Sequence, residues 1–174
     1  MSDLYINAFD RRSGRVVDVP LSRLEGGCCE QQYDECNNAS LVGSFTSPIK
    51  LTPTAQMLTL SNYSMYPPNT FGVKGGDITF NVLGVYNVDV SGSLSSTPRT
   101  NTTTTVSASP SGNTVVIGPK SFTASTGTNG SASFDYPLLV SAPSCGSNLK
   151  FTASSSNANV SLLNSSINII KISQ

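Results

Sequence analysis

The chain contains no histidine and no tryptophan, and only 11% of its 174 residues are charged. Without histidine there is no imidazole base, no imidazole metal ligand and no histidine-containing catalytic triad. A formal net charge of zero argues against a nucleic-acid or anionic-membrane binder, which needs clustered Lys and Arg to neutralise phosphates. Eighteen apolar residues never run together, so no helix of membrane-spanning length is expected. The opening MSDLYINAFDRRSGR has no apolar core after a basic start and does not read as a secretory signal. Carboxylates are scarce as well. Beyond residue 36 only Asp77, Asp89 and Asp135 are acidic. A glycosidase pair would have to come from these three, yet each alternates with apolar neighbours as an outward strand position does.

What is present instead is Ser, Thr, Asn and Gly, with charge divided unevenly. Residues 1–36 hold eleven of the twenty charged side chains, and the other 138 residues share nine. Such a step marks a change of module, and the boundary falls between Ser40 and Pro48. The chain is expected to comprise an N-terminal docking arm, 1–45, and a β-sandwich, 46–174.

The second part alternates with the period of a strand. Ile78, Phe80 and Val82 alternate in DITFNVL; Val88, Val90 and Leu94 in VDVSGSL. Phe134, Tyr136, Leu138 and Val140 do so in SFDYPLLV; Leu149, Phe151 and Ala153 in NLKFTA. Weaker strands are expected at 56–62, 102–108, 113–118 and 158–163. In SINIIKI, Ile167 and Ile169 face one way while Ile170 and Ile172 face the other, which a β-bulge near Ile169 would produce. Turn residues punctuate the list at Pro67-Pro68-Asn69, Gly75-Gly76, Ser111-Gly112-Asn113, Asn129-Gly130 and Cys145-Gly146. No stretch sustains a 3.6-residue period, so the expected class is an all-β antiparallel sandwich. The Thr-rich segment 94–112 reads as a linker or an exposed edge strand. In the arm, LYINAF and RVVDV flank Ser13-Gly14 as a hairpin would. A hairpin alone is marginal in water, so the arm needs a surface to lie against.

The succession GGDITFNVLG, NVDVSGSLSS, FDYPLLVSAPSCGSNLKFTAS and SINIIKI, over about residues 50–174, resembles an immunoglobulin-like sandwich. It is similar to microbial surface modules in which a Cys-Gly turn follows an extended apolar strand. The core Trp and paired inter-sheet cysteines of antibody domains are missing. A TNF-like jelly roll is the alternative. Both sandwiches occur on phage virions, and the resemblance therefore implies a non-enzymatic surface module with no catalytic residues to carry over.

Two short motifs fail on inspection. In GNTVVIGPKS, Pro119 separates Gly118 from Lys120 where a phosphate loop needs them adjacent and needs a helix after them. In SNLK, Ser147 and Lys150 would share a face on a helix but not on a strand. Asn-x-Ser/Thr acceptors occur at Asn38, Asn62, Asn101, Asn129, Asn159 and Asn164, a number that composition alone explains.

The cysteines, in GGCCEQQYDEC and at Cys145, leave three readings open. They are free thiols, a disulfide from the arm such as Cys36 to Cys145, or a four-thiolate metal site of Cys28, Cys29, Cys36 and Cys145. The spacing fits structural zinc poorly, so no metal and no cofactor is expected.

The expected function is a virion structural protein, a capsid decoration, auxiliary or head-fibre-type protein of a bacteriophage. It would be made in the host cytoplasm and exposed after release. Its arm would dock on capsid or tail proteins of the same particle, in an oligomeric assembly, through Tyr5, Phe9, Arg11, Arg12 and Arg15. Neither nucleic acid nor membrane is an expected partner. The alternative is an adhesin module binding a host-surface glycan or receptor, for which Tyr63, Tyr66 and Phe71 are the one aromatic cluster and core packing the competing explanation. A small hydrolase comes last, because nothing supplies a base.

Overall fold

A computed structural model describes residues 38–173 in full, and residues 5–10 and 15–20 as backbone strands. The strands are β1 (Tyr5–Asp10), β2 (Arg15–Pro20), β3 (Ser40–Phe45), β4 (Ile49–Lys50), β5 (Gln56–Met57), β6 (Leu60–Tyr66), β7 (Phe71–Lys74) and β8 (Asp77–Phe80). They continue as β9 (Gly84–Ser96), β10 (Thr103–Ser111), β11 (Val115–Ile117), β12 (Ser121–Ser125), β13 (Ser131–Ala142), β14 (Ser147–Ser155) and β15 (Val160–Ser173). No α-helix occurs among the described residues.

Two sheets face one another. One is six-stranded, ordered β12-β10-β14-β8-β7 with β5 also on β14; the other is seven-stranded, ordered β11-β13-β9-β15-β3-β6 with β4 on β15. Every strand pairing among them is antiparallel. From β8 to β15 each strand lies in the opposite sheet from the one before it. That strict crossing is the connectivity of a jelly roll. In an immunoglobulin constant-type fold the last two strands are neighbours in one sheet, whereas β14 and β15 lie in different sheets. The sandwich is therefore of the jelly-roll kind and not immunoglobulin-like.

The alternating residues fill the space between the sheets. Phe80, Phe134 and Phe151 are all buried there. Three aromatic groups divide the core. Phe71, Phe80 and Tyr86 meet with centroids 4.7–5.7 Å apart; Phe122 packs on Phe134 and Tyr136; and Phe45 sits edge-on to Phe151. Such pairs add about 0.5–1.5 kcal/mol beyond the area they bury. Gly92 makes room for one of them. A Cβ there would stand 2.7 Å from the Phe134 ring.

Three expectations change. The strand β3, which charge alone grouped with the arm, pairs with both β15 and β6, so the sandwich begins at about Ala39 rather than residue 46. The Thr-rich segment contains β10, which lies between β12 and β14 and is no edge. Its inward Thr104, Val106 and Ala108 are buried, and the threonine methyl serves the core as a valine methyl would. The phase of SINIIKI does not shift at Ile169. Ile167, Ile169 and Lys171 point inward, while Ile170 and Ile172 are 43% and 56% exposed. The register shifts against β9 fall elsewhere, at Leu162/Asn164 and Lys171/Ser173. Lys171 takes the inward place that the isoleucine pattern assigned to a bulge.

The hairpin of the arm forms as expected. β1 and β2 pair antiparallel from Tyr5↔Pro20 to Asp10↔Arg15 and make a two-stranded sheet of their own.

Candidate functional site

The sandwich offers little chemistry. Asp77 lies on β8, where its carboxylate is 3.3 Å from the Lys150 ammonium in a half-exposed pair. Asp89 and Asp135 lie on the other sheet, paired opposite Pro137 and Ser91 respectively. Asp89 accepts a hydrogen bond of 2.9 Å from Asn87 Nδ2, and Asp135 is exposed. The three carboxylates thus divide between the two sheets. Among the described residues no group of His, Cys, Asp or Glu is arranged to hold a metal ion.

The two motif look-alikes are structural. Tyr136 donates a 2.7 Å hydrogen bond to the carbonyl of Pro119, so GNTVVIGPKS closes over a core tyrosine. Gly118 there has φ 113°, a left-handed conformation that suits glycine. Ser147 donates to the Ser144 carbonyl at 2.7 Å while Lys150 pairs with Asp77, on opposite faces of β14.

Cys145 sits exposed in the turn between β13 and β14 and is disulfide-bonded. Its partner lies outside the described residues, as do Cys28, Cys29 and Cys36. A disulfide sulfur cannot serve as a thiolate ligand, so the four-thiolate metal site and a free Cys145 thiol are both set aside. Tyr5, Phe9 and Arg15 fall on β1 and β2; their side chains, with Arg11 and Arg12, lie outside the described residues.

The aromatic cluster divides. Phe71 is core, and Tyr63 and Tyr66 are 45% and 63% exposed on β6, three residues apart and so on opposite sides of the pleat. All six Asn-x-Ser/Thr acceptors are exposed. The outward face of the seven-stranded sheet is graded. One half carries Asp135, Ser91, Ser166 and Ser44 in register across β13, β9, β15 and β3. Ser91 and Ser166 of that row also line an open depression of about 340 Å³, together with Gly92, Ser93, Phe134 and Asn164. The other half exposes Ile170, Ile172, Val42 and Tyr66, interspersed by register with Asn87, Asp89, Asn168 and Ser40. Sequence alternation identified the strands but not this grading, because it does not say which outward residues become neighbours.

No protein-family model matches the sequence, and a comparison with curated proteins finds no match. Among solved structures, murine APRIL at pH 8.0 is similar with a TM-score of 0.51 at 14% identity, covering 78% of this chain and 99% of that one. The globular domain of zebrafish complement 1qA is similar with a TM-score of 0.51 at 13% identity, covering 78% and 98%. The vertex protein P5 of PRD1 aligns at a TM-score of 0.45 and 15% identity, too loose a likeness to bear on fold or function. The chain is an all-β antiparallel sandwich with jelly-roll neighbours.

Proposed function

We propose that the protein is a non-enzymatic structural module displayed on a virion surface, a capsid decoration or head-fibre-type protein of a bacteriophage. In this reading its N-terminal segment docks on capsid or tail proteins of the same particle, and the sandwich faces outward. The observation that carries the reading is the separate hairpin. β1 and β2 add to neither sheet of the sandwich, and a lone two-stranded ribbon is marginal in water. Such a ribbon reaches stability by lying on another surface or extending another sheet. The concentration of charge before residue 37 gives that contact register and partner choice. The three carboxylates of the sandwich divide between its two sheets, and the one next to a cation, Asp77 beside Lys150, lies in a half-exposed surface pair. The protein is made in the host cytoplasm and becomes extracellular on release.

The test is a deletion of residues 1–37, which keeps β3 in its sheet. The truncated chain should stay folded, with a single cooperative urea transition at the midpoint of the reduced full chain, since it also loses the disulfide partner of Cys145, and should no longer join the particle. Normal incorporation would refute the anchor. The second reading, an adhesin binding a host-surface glycan, is favoured by the exposed Tyr63 and Tyr66 and by the open depression over Gly92 and Phe134 with its rim of serines. A glycan array probed with the full chain separates the two, since a decoration protein should show no saturable binding.

A further inference from the structure

Four loops meet at one end of the sandwich, those between β4 and β5, β9 and β10, β12 and β13, and β14 and β15. Backbone amides tie them together. Ser155 donates to the Thr52 carbonyl at 2.9 Å, Thr97 to that of Asn159 at 3.0 Å, Ser96 to that of Gly130 at 2.7 Å and Thr126 to that of Thr102 at 3.0 Å. A buried hydroxyl network fixes the β9–β10 loop from within. Ser96 Oγ donates to the Thr100 carbonyl and accepts from the Thr100 amide. Thr126 Oγ1 donates to the same carbonyl at 2.7 Å and accepts from the Thr102 amide at 3.1 Å. Ser96, Thr102 and Thr126 are each no more than 4% exposed. A buried network of this kind, fully satisfied, rigidifies what it holds.

The loop so fixed carries Arg99. Its Cα lies so near Gly130 that a Cβ on the glycine would stand 2.8 Å from it, while the Arg99 side chain is exposed. Lys50, exposed on β4 opposite Ser161, is a second cation at this end. Neither has an ion-pair or hydrogen-bond partner among the described residues. The carboxylates of the sandwich lie elsewhere, Asp77 beside Lys150 and Asp89 and Asp135 in mid-strand on β9 and β13. Around the two cations the loops expose Thr54, Asn101, Thr128, Asn129 and Asn159. None of the exposed large apolar side chains falls in these loops. The start of the sandwich at Ala39, bonded to Lys171 near the end of β15, and the β13–β14 turn with Cys145 both lie at the opposite end.

We infer that this loop end binds a carboxylated polysaccharide. The Arg99 guanidinium pairs with a sugar carboxylate, to which its planar fork offers two parallel N–H donors. The asparagine and threonine side chains around it donate to and accept from sugar hydroxyls. Lys50 lies two strand spacings, about 10 Å, from the strand that leads to Arg99, so one polymer with repeated carboxylates reaches both. Rigid loops lose little freedom on binding. An acidic protein would need a desolvated aromatic or apolar centre to bind stably, and the loops offer none. Two cations per chain make a weak contact, so a lone chain does not saturate, and many copies on one surface hold the polymer together. The inference rests on the reading of the sandwich as the outward-facing part of the protein and gives that part a ligand.

The experiment captures the full chain densely on a biosensor surface through a C-terminal biotin and passes polygalacturonate, neutral dextran and poly-L-glutamate over it. Polygalacturonate should be retained and the other two should not. Retention should fall as salt rises from about 50 mM to about 500 mM. Arg99→Ala should lower it by roughly tenfold or more, and Arg99→Lys should recover only part of that loss, because an ammonium lacks the fork. Lys50→Ala should cause a smaller loss. Lys120→Ala, at an exposed cation before β12 and away from these loops, should leave retention unchanged. Equal retention of poly-L-glutamate would overturn the choice of a sugar partner. No retention of polygalacturonate, or an Arg99→Ala chain that binds like the parent, would overturn the site. If the 1–37 deletion abolishes incorporation while no polymer is retained, the anchor stands and the loop site falls.

Discussion

Replacing Phe151 with Ala and Lys150 with Ala sets two neighbours on one strand against each other. Phe151 is wholly buried and meets Phe45 edge-on at 6.2 Å. Its strand is an interior one, with β10 on one side and β8 and β5 on the other. Full burial of a phenylalanine contributes about 1.5–3 kcal/mol through removal from water. The cavity left by truncation adds to that, because β14 is pinned by both neighbours and by the Leu58 amide, which donates to the Phe151 carbonyl. The sum falls at about 3–5 kcal/mol. Against a typical stability of about 5–15 kcal/mol, such a loss brings the domain close to unfolding. Lys150 loses only a half-exposed pair with Asp77, worth about 0–1 kcal/mol. Urea melts of both variants, with urea slopes compared so that only midpoints are read, give the contrast directly. Equal losses would refute the alternation of β14 and with it the two-sheet core.

Tyr86→Phe should cost about 1–2 kcal/mol at neutral pH, because the hydroxyl donates to the buried Val82 carbonyl at 2.6 Å. Burial raises the ionisation of the Tyr86 and Tyr136 hydroxyls above the ordinary value. Their contribution is complete below about pH 10, where unfolded tyrosine begins to ionise, and declines as pH rises above it. Lys171, lowered by burial, works in the opposite direction just below its ordinary value. Tyr86→Phe should therefore flatten the alkaline fall of stability in melts from pH 9 to 11. Gly92→Ala forces a methyl toward the Phe134 ring and should cost about 1–3 kcal/mol; an unchanged thermal midpoint would refute that packing. Cys145→Ser, or a reductant on the native chain, should lower the urea midpoint, since the bond to the N-terminal segment closes a loop of over a hundred residues. Such a loop is worth about 4–5 kcal/mol in the chain-entropy account, and an indifferent midpoint would refute the tether.

Strand existence was legible in the chain wherever alternation was clean. Ile78 and Phe80, Val88 and Val90, Phe134 and Tyr136, Leu149 and Phe151 are inward because a strand's two faces are set by residue parity alone. The hairpin around Ser13-Gly14 was legible for a similar local reason. Parity cannot say which strands become neighbours, and so the choice between an immunoglobulin-like sandwich and a jelly roll was made by non-local pairing. The alternation of β8 through β15 between sheets is a property of the whole chain, visible in no single window. The same limit explains β3, whose membership depends on the partner β15 more than a hundred residues away. It also explains SINIIKI, where the inward row had room for Lys171 and left Ile170 and Ile172 outside. Cysteine spacing left three chemistries open for a comparable reason, because only proximity in the fold brings one sulfur to another. The arrangement of the outward residues belongs wholly to the tertiary structure. Ile117, Ile170 and Tyr66 are scattered over a hundred residues of sequence and come into one row, with Asn87 and Ser40 between them, only when register lays six strands side by side.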